Sequence, residues 1–387
     1  MSIQPHKSRT IISIVLLCLI PFFTANAAKV KIGILLPYTG TYAKLGTHIR
    51  DALMLRIEQN KNTLGGREVE YISVDSEMNV PKSTSRINKL VKKDKVDFLV
   101  GPVHSGIGIN MARLVKKSGT ITIVPNAGAN QITGTHCAPN IFRTSFTSWQ
   151  LAYPMGGVMR KAGHKRVVMM YWNYTFGRQT KAAFAESFSA SNEEVIDIPT
   201  PFPKAEFQSY FTKIATLHPD AVFAFYSGGG AVQFVKDYAA SGLKDAIPLY
   251  STFLTEGTAK AQGSAADGIV SILHYSRDLD NEANQRLKRT FKAKTGEDVD
   301  IFAVQGYDTG SLLVQAMDAV AGDTFHKKAL IQAMESVVID SPRGPFTFSK
   351  AHNPIQTIYL RQTTKGENKI IGVAAKNVED PATGCQM

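Results

Sequence analysis

From Val30 onward, short apolar runs alternate with stretches whose apolar residues return every three or four positions. Val30-Lys31-Ile32-Gly33-Ile34-Leu35-Leu36 is an almost unbroken apolar strand, and Leu45, Ile49, Ala52, Leu53 and Ile57 then mark one face of a helix. Further strands are predicted at Glu68 to Asp75, Val96 to Gly101 and Thr120 to Pro125, with helices at about Pro81 to Lys93 and Ile107 to Lys117. Strands alternating with crossover helices predict a parallel sheet covered on both faces. A second series begins after Arg143-Thr144-Ser145. Its strands fall at Arg166 to Trp172, Glu194 to Thr200, Ala221 to Tyr226 and Ile247 to Ser251, and its helices near Gly177 to Ser191, Lys204 to Leu217 and Gly230 to Ser241.

Beyond His274-Tyr275-Ser276 the alternation stops. Helices are predicted at about Asn281 to Thr295, Ala303 to Ala321 and His326 to Glu335, then strands at Gly344 to Phe348, Thr357 to Arg361 and Ile370 to Ala374. This layout makes sense if the chain returns to the first lobe near residue 275 and crosses again near residue 345. The fold class is therefore α/β, with two lobes, each a mostly parallel sheet flanked by helices, joined by a multi-stranded hinge that can bend. Residues 28–147 with 276–344 form lobe 1, and 148–275 with 345–387 form lobe 2.

Composition changes the picture chiefly at the N-terminus. Lys7 and Arg9 precede an apolar run from Ile11 to Phe23, and Ala25-Asn26-Ala27 supplies small residues for cleavage, so residues 1–27 read as a signal peptide. A membrane anchor is the competing reading, but the run is shorter than the roughly 20 residues a spanning helix needs. Its removal leaves 360 of the 387 residues and lowers the formal charge from +12 to +10. With 44% hydrophobic residues the chain is far from disordered composition. The Lys and Arg are scattered and no nucleic-acid-binding signature accompanies them, so nucleic acid is not an expected partner. Cys137 and Cys385 then remain. In an oxidising compartment they read as a bridge that would pin the C-terminal tail, or else as two buried thiols. Without a nearby histidine pair they make a poor zinc site.

The chemistry collects at the carboxyl ends of the strands. Pro37-Tyr38-Thr39-Gly40-Thr41-Tyr42, Gly101-Pro102-Val103-His104-Ser105-Gly106, Pro125-Asn126-Ala127-Gly128-Ala129-Asn130, Trp172-Asn173-Tyr174 and Tyr226-Ser227-Gly228-Gly229-Gly230 all stand there. In open parallel sheets this edge forms the ligand crevice. Ser105 would open a helix whose free N–H groups suit an anion. Ser, Gly and Asn alone would read as caps and turns, but turns do not require Tyr or Trp. Flat rings such as Tyr38, Trp149, Trp172 and Phe253 would suit a planar apolar ligand, although such rings also fill cores. His104 beside Ser105 lacks the strand-to-helix Gly-x-Ser-x-Gly elbow of a hydrolase. The triple glycine lacks nucleotide-loop spacing.

The run Ile32-Gly33-Ile34-Leu35-Leu36-Pro37-Tyr38-Thr39-Gly40, with Val100-Gly101-Pro102-Val103-His104-Ser105, Ile123-Val124-Pro125-Asn126-Ala127 and Phe142-Arg143-Thr144, resembles the type I periplasmic solute-binding proteins of branched-chain amino acid ABC transporters. The likeness extends through the Tyr307-Asp308 helix. Pro125-Asn126-Ala127-Gly128-Ala129-Asn130 and Cys137-Ala138-Pro139-Asn140-Ile141-Phe142-Arg143-Thr144 are similar to the branch that takes up aromatic carboxylates such as benzoate and hydroxycinnamate derivatives. The resemblance implies a type I periplasmic-binding-protein fold, a periplasmic location and no cofactor. It implies that Ser105 and the backbone of Ala127 and Ala129, within the Asn126 to Ala129 loop, hold a ligand carboxylate. Ala129 stands where amino acid binders have Ser or Thr. Tyr42, Tyr174 and Tyr226 match rings that close over the ligand, and Glu256 matches an ammonium acceptor, although the preceding Thr252-Phe253 departs from the amino acid binders' pattern.

Three functions compete: a transport binding protein, an enzyme, and a ligand sensor partnered with a membrane receptor. The chain shows no convergent acid, base and nucleophile set, so an enzyme is not expected. The expected function is capture of a small carboxylate, amino acid or aromatic acid, by lobe closure, as a monomer that delivers it to an inner-membrane permease and its ATPase. The partnered sensor is the alternative.

Overall fold

The computed structural model describes residues 1–4, 28–204 and 206–387. The apolar leader from Ile11 to Phe23 lies outside the described residues. Two sheets organise the rest. The first contains β1 (Val30–Leu36), β2 (Thr63–Leu64), β3 (Arg67–Asp75), β4 (Phe98–Val100), β5 (Ile121–Val124) and β6 (Ile141–Arg143), in the order β2-β3-β1-β4-β5-β6. All its pairings are parallel except the β2/β3 hairpin. The second runs β8 (Glu194–Thr200), β7 (Arg166–Trp172), β9 (Ala221–Phe225), β10 (Leu249–Thr252), β11 (Val270–Leu273), all parallel. It is extended by the antiparallel strands β12 (Thr347–Phe348), β13 (Pro354–Thr364) and β14 (Glu367–Val378).

The central strands are apolar because helices cover both their faces: β5 and β9 are buried throughout, and β1 at every position but Lys31. β3, flanked on its outer side only by the two-residue β2, has no fully buried position. The helices that matter for the site each follow a strand. They are α1 (Ala43–Glu58), α2 (Ser105–Ser118), α3 (Thr175–Phe188) and α4 (Gly228–Ala240). A fifth, α5 (Ile301–Ala319), comes after β11 in the chain yet packs on the first lobe. Gly306 lies so close to the Ile49 carbonyl of α1 that a Cβ there would sit 2.0 Å from its oxygen. A side chain at 306 would force the two helices apart.

One buried guanidinium gathers the segments that pass between the sheets. Arg343 donates to the carbonyls of Ser145 (3.1 Å) and Thr144 (2.7 Å) and pairs with the buried Asp308 carboxylate at 3.0 Å. The disulfide joins Cys137 to Cys385, with Cα atoms 5.5 Å apart, so the tail beyond β14 is tied to a loop of the first lobe.

The structure differs from the sequence expectations at several elements. β6 and β11 are three and four residues long and were not predicted. Runs that short carry no readable period. The helix Tyr153–Lys161 was also missed, because Pro154, Gly156 and Gly157 depress helix propensity over nine residues. The helix expected from Lys204 starts at Gln208, since Pro201 and Pro203 bias the residues before them toward extended backbone. The last two strands are longer than expected and form a hairpin through Lys365-Gly366.

Candidate functional site

The cavity between the lobes is built from the loops that follow the strands. From the first lobe come Tyr42 and Leu45 after β1, Val103 and Ser105 after β4, Asn126 and Gly128 after β5, and Phe302 at the start of α5. Tyr174 and Phe176 after β7, Phe225 and Ser227 at the end of β9, and Phe253 after β10 come from the second, with Phe146 from a crossing segment. It is small and nearly filled by its own lining side chains. Seven of its thirteen lining residues are aromatic and none carries a charge at neutral pH, so planar apolar surface dominates. Phe176 and Phe225 stand 4.5 Å apart, Phe146 and Phe253 5.1 Å.

The lobes touch around it. Tyr42 and Tyr174 hydroxyls meet at 3.2 Å, the Asn130 N–H donates to Gln179 at 2.9 Å, and Gly228 lies against Thr41. At φ +58° and with a Cβ position 2.2 Å from the Thr41 oxygen, residue 228 must be glycine for this contact. The structure is therefore a closed form.

Polar capacity inside the cavity is concentrated in two hydroxyls. Ser105 is the first residue of α2, is 1% exposed, and its Oγ has no partner among the described residues. The unpaired first-turn amides of α2 lie beside it. Ser227 stands one position ahead of α4, as its N-cap residue, is 4% exposed and likewise has no side-chain partner among the described residues. An anion would be received here by neutral hydroxyl and amide donors at the positive end of a helix. An ammonium group would find no carboxylate.

The sequence-predicted residues divide into two groups. Tyr42, Ser105, Asn126, Gly128, Tyr174 and Phe253 line the cavity; the others stand behind it or elsewhere. The Ala127 N–H donates to the Pro102 carbonyl at 3.0 Å, so that amide is already committed. Ala127 and Ala129 turn their carbonyls to the buried Arg143 guanidinium, which fixes the loop. His104 stacks on Tyr174 at 5.0 Å, and burial pulls its pKa down to about 4, which keeps it neutral. Trp172 donates its indole N–H to the Lys204 carbonyl at 2.8 Å and packs edge-on to Tyr42. Tyr226 bonds Thr200 at 3.0 Å and stacks on Phe234 in the core. Trp149 stacks on Tyr153, and Tyr38 lies under the Arg50 guanidinium, 5.2 Å away.

Glu256 requires a correction to its expected role. One carboxylate oxygen accepts from Arg361 at 2.8 Å and the other from the Ile301 N–H at 2.9 Å, at the N-terminus of α5. Both are used inside the protein. Glu256 instead borders a wider groove of mixed charge, where Asp298 already pairs with Lys260, Lys292 and Arg277.

Sequence reasoning did not select Ser227, Leu45, Val103, Phe146, Phe176, Phe225 or Phe302. Ser227 carries a local signal, since it directly precedes a glycine-led helix after a strand. Phe302 arrives from α5, far along the chain from the strand-end loops, which no local pattern reveals.

Two α/β lobes closed over a small cavity at the carboxyl ends of their strands define a solute-binding protein. The chain belongs to the periplasmic binding protein family, whose model matches residues 29–368, and it is a solute-binding protein of the ABC transporter kind. It is similar to a solute-binding protein of an ABC transporter from R. palustris solved in complex with benzoate, 46% identical, with a TM-score of 0.91 over 93% of this chain and 100% of that one. A second R. palustris solute-binding protein, in complex with 4-hydroxybenzoate, is 26% identical with a TM-score of 0.84, covering 90% of this chain and 98% of that one. Leu/Ile/Val-binding protein homolog 6 of Brucella melitensis is 27% identical over 353 residues, 89% of this chain and 90% of that protein.

Proposed function

We propose that this protein captures a small aromatic carboxylate of the benzoate class. The observation that carries the reading is the lining itself: seven rings, two unpartnered hydroxyls and no charged side chain. A free amino acid would leave its ammonium unpaired in such a cavity, a costly arrangement, because Glu256 is held by Arg361. An aromatic acid brings one charge, which suits Ser105 and the α2 amides, and a flat body, which suits the rings. The 46% identical relative solved with benzoate supports the same class.

In this reading the two bodies, residues 28–147 with 276–344 and 148–275 with 345–387, close on the acid, because contacts from both favour the closed form. The closed monomer would then dock on a membrane permease driven by its ATPase. It acts as a carrier, without catalysis. Among the described residues no helix is long and apolar enough to cross a membrane, and residues 1–27 would direct export to the periplasm. A thermal-shift series with benzoate, phenylalanine and leucine tests the ligand class, since tight binding raises apparent stability by mass action. Stabilisation by benzoate alone is expected; stabilisation by the amino acids alone would overturn it.

A further inference from the structure

The two unpartnered hydroxyls belong to opposite lobes, and a carboxylate whose oxygens are taken up by Ser105 and the α2 amides would leave Ser227 for the rest of the ligand. The remaining lining polar groups are occupied. Tyr42 and Tyr174 share their hydroxyls at 3.2 Å, and Asn126 gives its amide to Gln305 at 2.8 Å. Ser227 is buried to 4% exposure at the N-terminus of a thirteen-residue helix and lines the same cavity. Its Oγ has no partner among the described residues. Buried hydroxyls are nearly always hydrogen-bonded, so this one is built to meet a group the ligand brings. Wedged among rings, that group must sit on the ligand's ring.

We propose that Ser227 is a specificity-determining residue that hydrogen-bonds a hydroxyl substituent on the ring of the bound acid, opposite the carboxylate held at Ser105. The proposal rests on the aromatic-acid reading above. It assigns the second lobe a chemical task besides closure: distinguishing hydroxylated aromatic acids from plain ones. A phenolic hydroxyl can both donate to Oγ and accept from it, so Ser227 is matched in either direction. A plain ring would leave it unpaired, which lowers affinity.

The test is isothermal titration calorimetry with benzoate, 3-hydroxybenzoate and 4-hydroxybenzoate on the wild-type chain, Ser227→Ala and Ser105→Ala. The wild type is expected to bind at least one hydroxylated acid about tenfold more tightly than benzoate, the worth of one hydrogen bond. Ser227→Ala should erase that preference without weakening benzoate, whereas Ser105→Ala should weaken all the acids that bind. Equal weakening of benzoate and the hydroxylated acids by Ser227→Ala would overturn the proposal, placing Ser227 on the carboxylate or in the scaffold. A wild type with no preference for either hydroxylated acid would overturn it even if the variant failed to fold, while leaving the aromatic-acid reading intact. Failure of all three acids to bind the wild type would overturn both.

Discussion

The hydroxyl of Tyr42, in the first lobe, lies 3.2 Å from that of Tyr174, in the second. Each ring is braced from behind: Tyr42 by the edge of Trp172, Tyr174 by the stacked His104. The pair thus closes the cavity with two rigid rings and one hydrogen bond that exists only when the lobes meet. Tyr174→Phe removes that bond and keeps the ring, so ligand affinity should fall by about 0.5–1.5 kcal/mol, up to roughly tenfold, with the fold unchanged. Calorimetric titration checks this; unaltered affinity would show that the bond does not favour closure.

Ser105→Ala should cost more. A hydrogen bond to a charged group contributes roughly 1.5–3 kcal/mol, and the α2 amides cannot supply the missing hydroxyl. The dissociation constant for benzoate is the readout. No change would move the carboxylate away from this helix.

Glu256→Gln separates stability from recognition. Breaking a buried pair by removing one partner typically destabilises by about 3–5 kcal/mol, and here Arg361 would be left with a neutral partner while the cap on α5 weakens. Chemical denaturation should show most of that loss, with benzoate affinity in the surviving folded protein nearly unaltered. Intact stability with a lost preference among ligands would contradict the structural role.

Binding of the acid should be almost independent of pH between about 6 and 9, because the lining carries no ionisable group other than two tyrosines and His104 behind it is held near pKa 4. Burial raises both Tyr42 and Tyr174 above the ordinary tyrosine range, so neither ionises in that window. Affinity should weaken only as the pH approaches the ligand's own carboxyl pKa. A step in affinity near pH 6.5 would point to a histidine in the site.

Stability has a different pH signature. Burial lowers the pKa of His48, but the carboxylate of Asp300, 2.8 Å from Nδ1, outweighs it and the net shift is upward. A histidine raised above its unfolded value of about 6.5 contributes stability that is complete below that pH and lost as pH rises through the folded pKa. His48→Gln should therefore flatten the pH dependence of unfolding free energy above about pH 6.5. An unchanged slope would remove this pair from the account.

How much of this was legible in the sequence depends on distance along the chain. β1, β7 and β9 announce themselves as apolar runs, and Ser105 as the opening of a helix after a strand, because those signals are local. The short β6 and β11 are held by neighbours on both sides, and their own residues carry too little pattern to show it. Tyr226 was expected over the ligand and faces Phe234 instead: the last turn of a strand can point a ring either way, and only packing decides. Glu256 was matched to an ammonium acceptor and is bound by Arg361, a partner 105 residues away that no spacing rule connects. Ser227, next to the misread tyrosine, was passed over because an isolated serine at a helix start reads as a cap. The structure shows that its hydroxyl caps nothing.

Small-angle scattering on the purified chain, titrated with benzoate under conditions where calorimetry has established saturation, tests the central claim most directly. Closure of two lobes on the acid predicts a smaller radius of gyration with benzoate and no change with leucine. An identical profile with and without saturating benzoate would contradict it.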